Sequence, residues 1–438
     1  MSVALLNEKA IMPDRDYYEI VQARKRLPNG LQEALNNAFA KIPVSFFPEV
    51  PGGKVIEIPA DTSIADAVQI LSEHNILSAP VRNPEADDNT VWYDRYLGML
   101  DYSAIIFWVL ENAELAAVAL AAGSATAAGM GVGAVGALGA IALGTTGPAA
   151  VAGLTIAAFG AAVAGGLVVD KHVGKDAPAA ADYLGEDFYK VILQEEPFKS
   201  TTIQTLLRSF RWTPFLPVQP NDSMLTVMLL LSKYRLRSVP IIEMDKPSVE
   251  NMITQSAVVK GLLQCRGRDW FDAIATKPIS ELGLPFMSPN KVICIDGKEP
   301  VLEAFKRMNE KQIGGLPVVQ GPTNKIIGNI SMRDIRFLLL HQELFSRFRQ
   351  LTAVDFMRTV ASTTGSSVMM PPITCTYGTS LGDVIEILST KCIHRVHLVD
   401  EQDVVLGVIT LRDVISCFVS EPERYFENYF GFFSSESR

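Results

Sequence analysis

The segment Pro372–Val414, PITCTYGTSLGDVIEILSTKCIHRVHLVDEQDVVLGVITLRDV, contains one complete structural unit. After Ser380, a predicted helix N-cap, four apolar residues share one helical face: Leu381, Val384, Ile385 and Leu388. A short predicted strand precedes this helix, and two more, Arg395–Val399 and Val404–Ile409, follow it around a polar turn. A second helix opens at Thr410. This β-α-β-β-α unit of about 45 residues is too small to bury a core alone.

The same pattern occurs four times along the chain. Four windows align without a gap: Ser63–Pro80, Ser223–Pro240, Pro300–Pro317 and Ser380–His397. Their ninth residue is apolar in every case: Leu71, Leu231, Met308 and Leu388. The windows start 160, 77 and 80 residues apart. The chain is therefore a tandem repeat, with one double-length gap between the first and second copies.

These units resemble the cystathionine-β-synthase (CBS) repeat. The motifs IHRVHLVD and TLRD of the fourth copy resemble the gamma subunits of the AMP-activated protein kinase family. The stretch KVIEIPADTSIADAVQILSEHNILSAP and the Ala/Gly-rich insert are similar to the plant gamma subunit of sucrose-nonfermenting-related kinase. The resemblance covers Ala38–Leu115 and Glu186–Ser420. It implies an α/β fold in which repeats one and two pair, repeats three and four pair, and the two modules stack as a disc.

The resemblance also implies a function. We expect a non-catalytic regulatory gamma subunit of a heterotrimeric serine/threonine kinase in energy and sugar signalling. Its expected partners are the kinase catalytic (alpha) and beta subunits, and its candidate ligand is AMP, ADP or ATP, with no cofactor or metal. Two alternatives remain open: a ligand-free CBS scaffold, and a membrane-associated CBS protein.

The repeats divide the chain into seven parts. They are a leader (1–48), repeat one (49–114), an insert and linker (115–193), repeat two (194–276), repeat three (285–345), repeat four (355–422) and a tail (423–438). If repeats three and four form a module, residues 286–422 should fold alone and residues 286–345 should not.

Composition limits the other function classes. The net charge of −9 argues against a nucleic-acid binder. The five cysteines lack C-x-x-C spacing and predict neither a disulfide framework nor a zinc site. The start of the sequence shows no secretory signal pattern. We expect a cytoplasmic location, with the nucleus open as a second one.

The segment Leu115–Val169 contains no charged residue over 55 positions. This length alone would allow a membrane span. Its residues are mainly small, however, and Thr145–Pro148 divides it into two halves. We therefore expect an Ala/Gly-rich helical hairpin that packs on protein, and membrane contact is the alternative.

Two hydroxyl-x-x-Asp motifs are candidate ligand residues: Ser331 with Asp334, and Thr410 with Asp413. From the pattern alone each is a helix capping box that needs no ligand. The CBS resemblance implies that the aspartate binds ribose hydroxyls and that the hydroxyl residue lines the pocket. The segments of repeats one and two that align with these motifs are 101–104 and 264–267, and neither has a carboxylate at its fourth position. Nucleotide binding is therefore expected in repeats three and four.

His394 and Arg395 complete the predicted site. An arginine at the start of a strand is commonly a surface charge, but the gamma-family resemblance implies that the pair faces nucleotide phosphates, which suits a forked guanidinium. Repeat two has Arg235 and Arg237 near this position. At the same position, repeat three has a pair of glycines, residues 314–315. This pair either lets a ligand approach the backbone or permits tight packing.

The sequence contains no catalytic signature. There is no H-E-x-x-H, nucleophile elbow, kinase signature or P-loop, and we predict that the chain is not an enzyme. His397 replaces the proline of the other three repeats and is expected to be structural.

Overall fold

The structure, a computed structural model, describes residues 15–87, 90–110, 200–209, 214–243, 246, 248–287, 291–341, 344, 350–363 and 371–430. The helices in these ranges are α1 Arg15–Arg24, α2 Asn29–Ala40, α3 Ile64–Glu73, α4 Trp92–Arg95, α5 102–110, α6 Ile203–Ser209, α7 Met224–Lys233, α8 Gln255–Leu263, α9 Asp269–Ala275, α10 Val301–Glu310, α11 Ile335–Leu340, α12 Ala353–Thr363, α13 Leu381–Thr390, α14 Leu411–Phe418 and α15 Tyr425–Tyr429. The strands are β1 Ile58–Pro59, β2 Ser78–Arg82, β3 Tyr96–Asp101, β4 Ser238–Ile242, β5 Val249–Thr254, β6 Ile295–Asp296, β7 Gly315–Gln320, β8 Lys325–Ser331, β9 Thr374–Cys375, β10 Arg395–Val399 and β11 Val405–Thr410.

Repeat four has the predicted β-α-β-β-α order. Strand β10 lies at the centre of a three-stranded sheet, parallel to β9 and antiparallel to β11. Ser380 caps α13, because its Oγ accepts the Asp383 N–H over 3.1 Å. Helix α13 buries the apolar face that the spacing predicted: Leu381, Val384, Ile385 and Leu388. Repeats one and three have the same sheet topology, so the α/β repeat prediction is confirmed.

Repeat two differs from the sequence-based expectation in two places. Its first strand is reduced to a single parallel bridge between Val218 and Ile241. Its helix α8 begins directly after Thr254, whose Oγ1 accepts the Ala257 N–H over 3.1 Å. The residues equivalent to the capping motifs are therefore 254–257, and the alignment with 264–267 was wrong. The fourth position, Ala257, again carries no carboxylate.

The paired repeats contact each other through their sheets. Between repeats one and two, Tyr96 stacks on Phe215 with ring centroids 4.4 Å apart. Between repeats three and four, the Ile326 N–H donates to the Asp403 carbonyl oxygen over 2.9 Å. A β-bridge between 325 and 404 continues this contact. These sheet contacts join the two members of each module.

The helices form the cores, and each core crosses from one module to the other. One core combines α7 and α8 of repeat two with α13 and α14 of repeat four. The other combines α3 and α5 of repeat one with α10 and α11 of repeat three. The four repeats therefore form a closed ring, in which sheet contacts alternate with helix contacts.

The leader belongs to the first core. Val21, Leu35, Phe39 and Val44 are buried among side chains of repeats two and four. The leader lacks the repeat pattern, so its sequence does not mark it as part of the repeats. Its apolar side chains nevertheless complete their core.

The predicted hairpin Leu115–Val169 lies outside the described residues. In the described ranges, no helix combines the length and the hydropathy that a membrane crossing requires.

Candidate functional site

Both hydroxyl-x-x-Asp motifs form capping interactions. In repeat three the Ser331 N–H and Oγ–H donate to Asp334 Oδ2 over 2.8 and 3.0 Å. In repeat four the Thr410 N–H and Oγ1–H donate to Asp413 Oδ2 over 2.7 and 2.5 Å. Each aspartate uses one oxygen for these bonds, so its other oxygen is available to a further donor.

The side chain of Arg395 crosses from repeat four to repeat three. A Cβ atom at Gly315 would overlap its guanidinium, and one at Gly314 would lie 3.0 Å from Nη2. Arg395 Nη1 also lies 3.5 Å from Asn329 Oδ1. The glycine pair of repeat three therefore makes room for an arginine of repeat four. The tight packing that the sequence allowed at this glycine pair is present, and its partner is Arg395.

Arg395 lies in a cluster of positive charge. Burial lowers its pKa to about 10, the nearby Asp334 opposes this shift, and the cation of Arg237 adds to it. Burial also lowers the pKa of His394 to about 4, and three arginines lower it further: Arg395, Arg333 and Arg237. The imidazole of His394 is consequently neutral at pH 7.

Two carboxylates accompany these cations. Arg237 Nη1 pairs with Asp101 Oδ2 at 2.5 Å, and Asp101 is 1% exposed. Asp334 interacts with Arg336 and Arg395, and burial raises its pKa above the ordinary value. Among the described residues, this cluster combines four guanidinium groups with two carboxylates: Arg237, Arg333, Arg336 and Arg395 with Asp101 and Asp334. The excess positive charge favours an anionic ligand.

Asp413 has a different set of neighbours. Its Oδ1 accepts the phenolic hydroxyl of Tyr17, from the leader, over 2.7 Å. The cation that interacts with it is Arg412, whose guanidinium carbon lies 3.8 Å from the centroid of the Tyr17 ring. The structure thus groups Asp334, His394 and Arg395, with Ser331 as the cap. It places Thr410 and Asp413 beside the leader instead.

Three residues around these aspartates were not part of the predicted site, and the sequence marked them to different degrees: Arg237, Asp101 and Tyr17. Arg237 occupies the window position of His394, so the repeat alignment indicated it. Asp101 is the last residue of β3, the position that Ser331 holds in β8. Aligning the two strands by their register would have identified it. Tyr17 lies outside every repeat, so no local pattern predicted its contact with Asp413.

His397 is a buried structural residue, as expected. It is 2% exposed, and its Nε2 lies 3.2 Å from Asn329 Oδ1 across the sheet contact of repeats three and four. Burial lowers its pKa to about 3.

Comparisons with known proteins agree with three of the four repeats and identify relatives that match nearly the full length of the chain. The CBS domain family model matches residues 49–111, 279–341 and 366–420. An SNF1-related protein kinase regulatory subunit gamma-1-like of Arabidopsis thaliana is 61% identical over 97% of this chain and 96% of its own length. The SNF1-related protein kinase regulatory subunit gamma-1 of the same plant is 36% identical over 91% of this chain and 86% of its own length.

Among solved structures, a Methanocaldococcus jannaschii protein described as a putative archaeal homolog of g-AMPK covers 84% of this chain and 98% of its own. It aligns with a TM-score of 0.48 at 16% identity. The two sequence relatives match nearly the full length of the chain. The chain belongs to the family of SNF1-related protein kinase regulatory gamma subunits.

Proposed function

We propose that this chain is the non-catalytic regulatory subunit of a heterotrimeric serine/threonine kinase, assembled with an alpha catalytic subunit and a beta subunit. The names of its two Arabidopsis relatives and their near full-length match support this role. The proposed setting is energy and sugar signalling in the cytoplasm.

We further propose that the chain binds an adenine nucleotide at the arginine cluster. The supporting observation is the excess of guanidinium groups over carboxylates around Arg395. A phosphate would supply the missing negative charge and bind a guanidinium through two hydrogen bonds. The free oxygen of Asp334 would accept a ribose hydroxyl, since this carboxylate carries its Ser331 bonds on Oδ2. A nucleotide carries both groups.

The cluster gives such a ligand a route to regulation. Arg333 belongs to repeat three, Arg395 to repeat four and Arg237 to repeat two, so one phosphate group would contact three repeats. A ligand shifts an equilibrium between conformations only if it binds one of them better. Binding between repeats meets this condition, because any change in repeat spacing changes these contacts.

Reconstitution with purified alpha and beta subunits tests the proposal. We expect the wild-type chain to co-purify with both, and AMP to change the activity of the assembled kinase. Arg395→Ala should remove the AMP effect without affecting assembly. The control is Lys298→Ala, which removes an exposed cation of repeat three. It should leave both the AMP effect and assembly unchanged. Failure to form the complex would contradict the regulatory role.

A ligand-free scaffold is the second candidate. It is favoured by repeats one and two, whose motifs end in Ala104 and Ala257 rather than a carboxylate. A complex that assembles, but neither binds nor responds to AMP, ADP or ATP, would establish this alternative.

A further inference from the structure

The leader contacts α14, the helix that carries Asp413, at both of its ends. At the start of α14, the Tyr17 hydroxyl donates to Asp413 Oδ1 over 2.7 Å. At its end, Lys25 Nζ donates to the carbonyl oxygens of Ser416 and Val419, each over 2.9 Å. A lysine satisfies the free carbonyl groups at a helix C-terminus. Because the leader is held at both ends of α14, the Tyr17 contact is part of a larger interface between the leader and repeat four.

Tyr17 supplies the kind of contact that a hydroxyl-bearing ligand would make. Its O–H donates to the aspartate oxygen that the Thr410 cap leaves free. The Arg412 guanidinium covers its ring at 3.8 Å, a cation–π distance. With these contacts in place, Asp413 is 5% exposed.

The equivalent aspartate of repeat three provides an internal comparison. Asp334 has the same cap but is only partly buried, and it interacts with guanidinium groups of Arg336 and Arg395. The two carboxylates follow the same motif in adjacent repeats of one module. They differ because Tyr17 of the leader donates to Asp413, whereas Asp334 lies beside guanidinium groups.

We propose that Tyr17 is a built-in occupant of the repeat-four ligand position, so that a nucleotide can bind Asp413 only when α1 moves away. This inference rests on the proposed nucleotide site at Asp334. The full chain then binds one nucleotide, at repeat three, and holds a second site closed. Any partner or modification that displaces α1 would open the second site.

The test is calorimetric titration of the full chain with AMP and with 2′,3′-dideoxy-AMP, which lacks the hydroxyls that Asp413 would accept. The variants are Tyr17→Phe, which removes only the donor, and Tyr17→Ala, which also removes the ring. The matched control is Tyr18→Phe, because the Tyr18 hydroxyl accepts the Glu421 N–H and lies on the same helix.

We expect the wild type and Tyr18→Phe to bind one AMP, and Tyr17→Ala to bind two. Tyr17→Phe should also show a second event, weaker than that of Tyr17→Ala, because removing one competing hydrogen bond to a charged group favours this binding about tenfold. Dideoxy-AMP should show no second event. If Tyr17→Ala fails to fold, the Tyr17→Phe result decides.

The remaining outcomes separate the two proposals. Three outcomes would overturn the role of Tyr17 and leave the repeat-three site standing. They are one AMP site in every variant, two AMP sites in the wild type, and a second event in the Tyr17 variants that is as strong for dideoxy-AMP as for AMP. A site that appears only in Tyr17 variants would support the role of Tyr17 and overturn nucleotide binding at Asp334. No binding by any variant would overturn both.

Discussion

At the level of single residues, Gly315 is where repeats three and four fit most closely. A Cβ there would overlap the Arg395 guanidinium and lie 2.7 Å from the Ile330 carbonyl oxygen. We expect Gly315→Ala to lower the free energy of unfolding by about 1–3 kcal/mol through overpacking. Gly378→Ala, where a Cβ meets nothing within 4 Å, is the control.

Urea denaturation measures both variants. Adding Arg395→Ala to Gly315→Ala should recover part of the loss, because it removes one of the two obstructing groups. Equal stability of Gly315→Ala and the wild type would show that Arg395 does not occupy this position.

His397 makes the free energy of unfolding depend on pH. Its pKa falls from 6.5 to about 3 in the folded chain, so between these values the unfolded state binds a proton that the folded state does not. Stability therefore decreases as the pH falls below about 6.5, at about 1.4 kcal/mol per pH unit for this group. His397→Gln should flatten the dependence of stability on pH between pH 6.5 and 4 relative to the wild type. Urea denaturation midpoints measured across this pH range test the prediction. If the midpoints of His397→Gln and the wild type change with pH in parallel, the prediction is refuted.

At the level of elements, the leader is part of the core. Leu35 of α2 is 1% exposed, whereas Phe46, eleven positions on, is 78% exposed. Leu35→Ala should cost about 2–5 kcal/mol of stability, and Phe46→Ala less than about 0.5 kcal/mol. Thermal and urea unfolding of the full chain measure both. Equal, small effects would mean that the leader is a detachable extension.

Local sequence patterns predicted the repeat elements well. Ser380 and Thr410 cap their helices as the motifs indicated, because capping depends on residues only three positions apart. The second repeat was aligned wrongly at its closing motif, because Thr254 begins α8 without a carboxylate to mark it. Contacts of the leader could not be predicted in this way, since Tyr17 and Asp413 are 396 residues apart.

At the level of the whole molecule, the two cores change one sequence-based expectation. Residues 286–422 were expected to fold alone as a module. Their helices, however, bury their apolar faces against repeats one and two. The isolated fragment would expose both faces to water, and burial of such surface is the main stabilising contribution to folding.

We therefore expect fragment 286–422 to lack a cooperative thermal transition as a monomer. Size-exclusion chromatography with circular dichroism tests this, and the full chain, melting cooperatively, is the control. A monomeric fragment with a cooperative melt would show that sheet contacts alone hold a module together.

The candidate ligand site was only partly predictable, because packing between the repeats brings its residues together. His394 and Arg395 were identified from their motif, and the structure places them with Asp334. The contributions of Arg237 and Asp101 come from the other module and depend on how the ring closes. Residues that meet through four-repeat packing share no local pattern.

Calorimetric titration of the full chain with AMP and ATP tests the central proposal, nucleotide binding at the arginine cluster. We expect the wild type to bind both. Asp334→Asn should weaken both by a similar factor, since the loss of one charge-assisted hydrogen bond costs about 1.5–3 kcal/mol. Arg395→Ala should weaken ATP more than AMP, because ATP carries more phosphate charge. Isotherms of these variants that superpose on the wild type would contradict the proposal and place the ligand elsewhere.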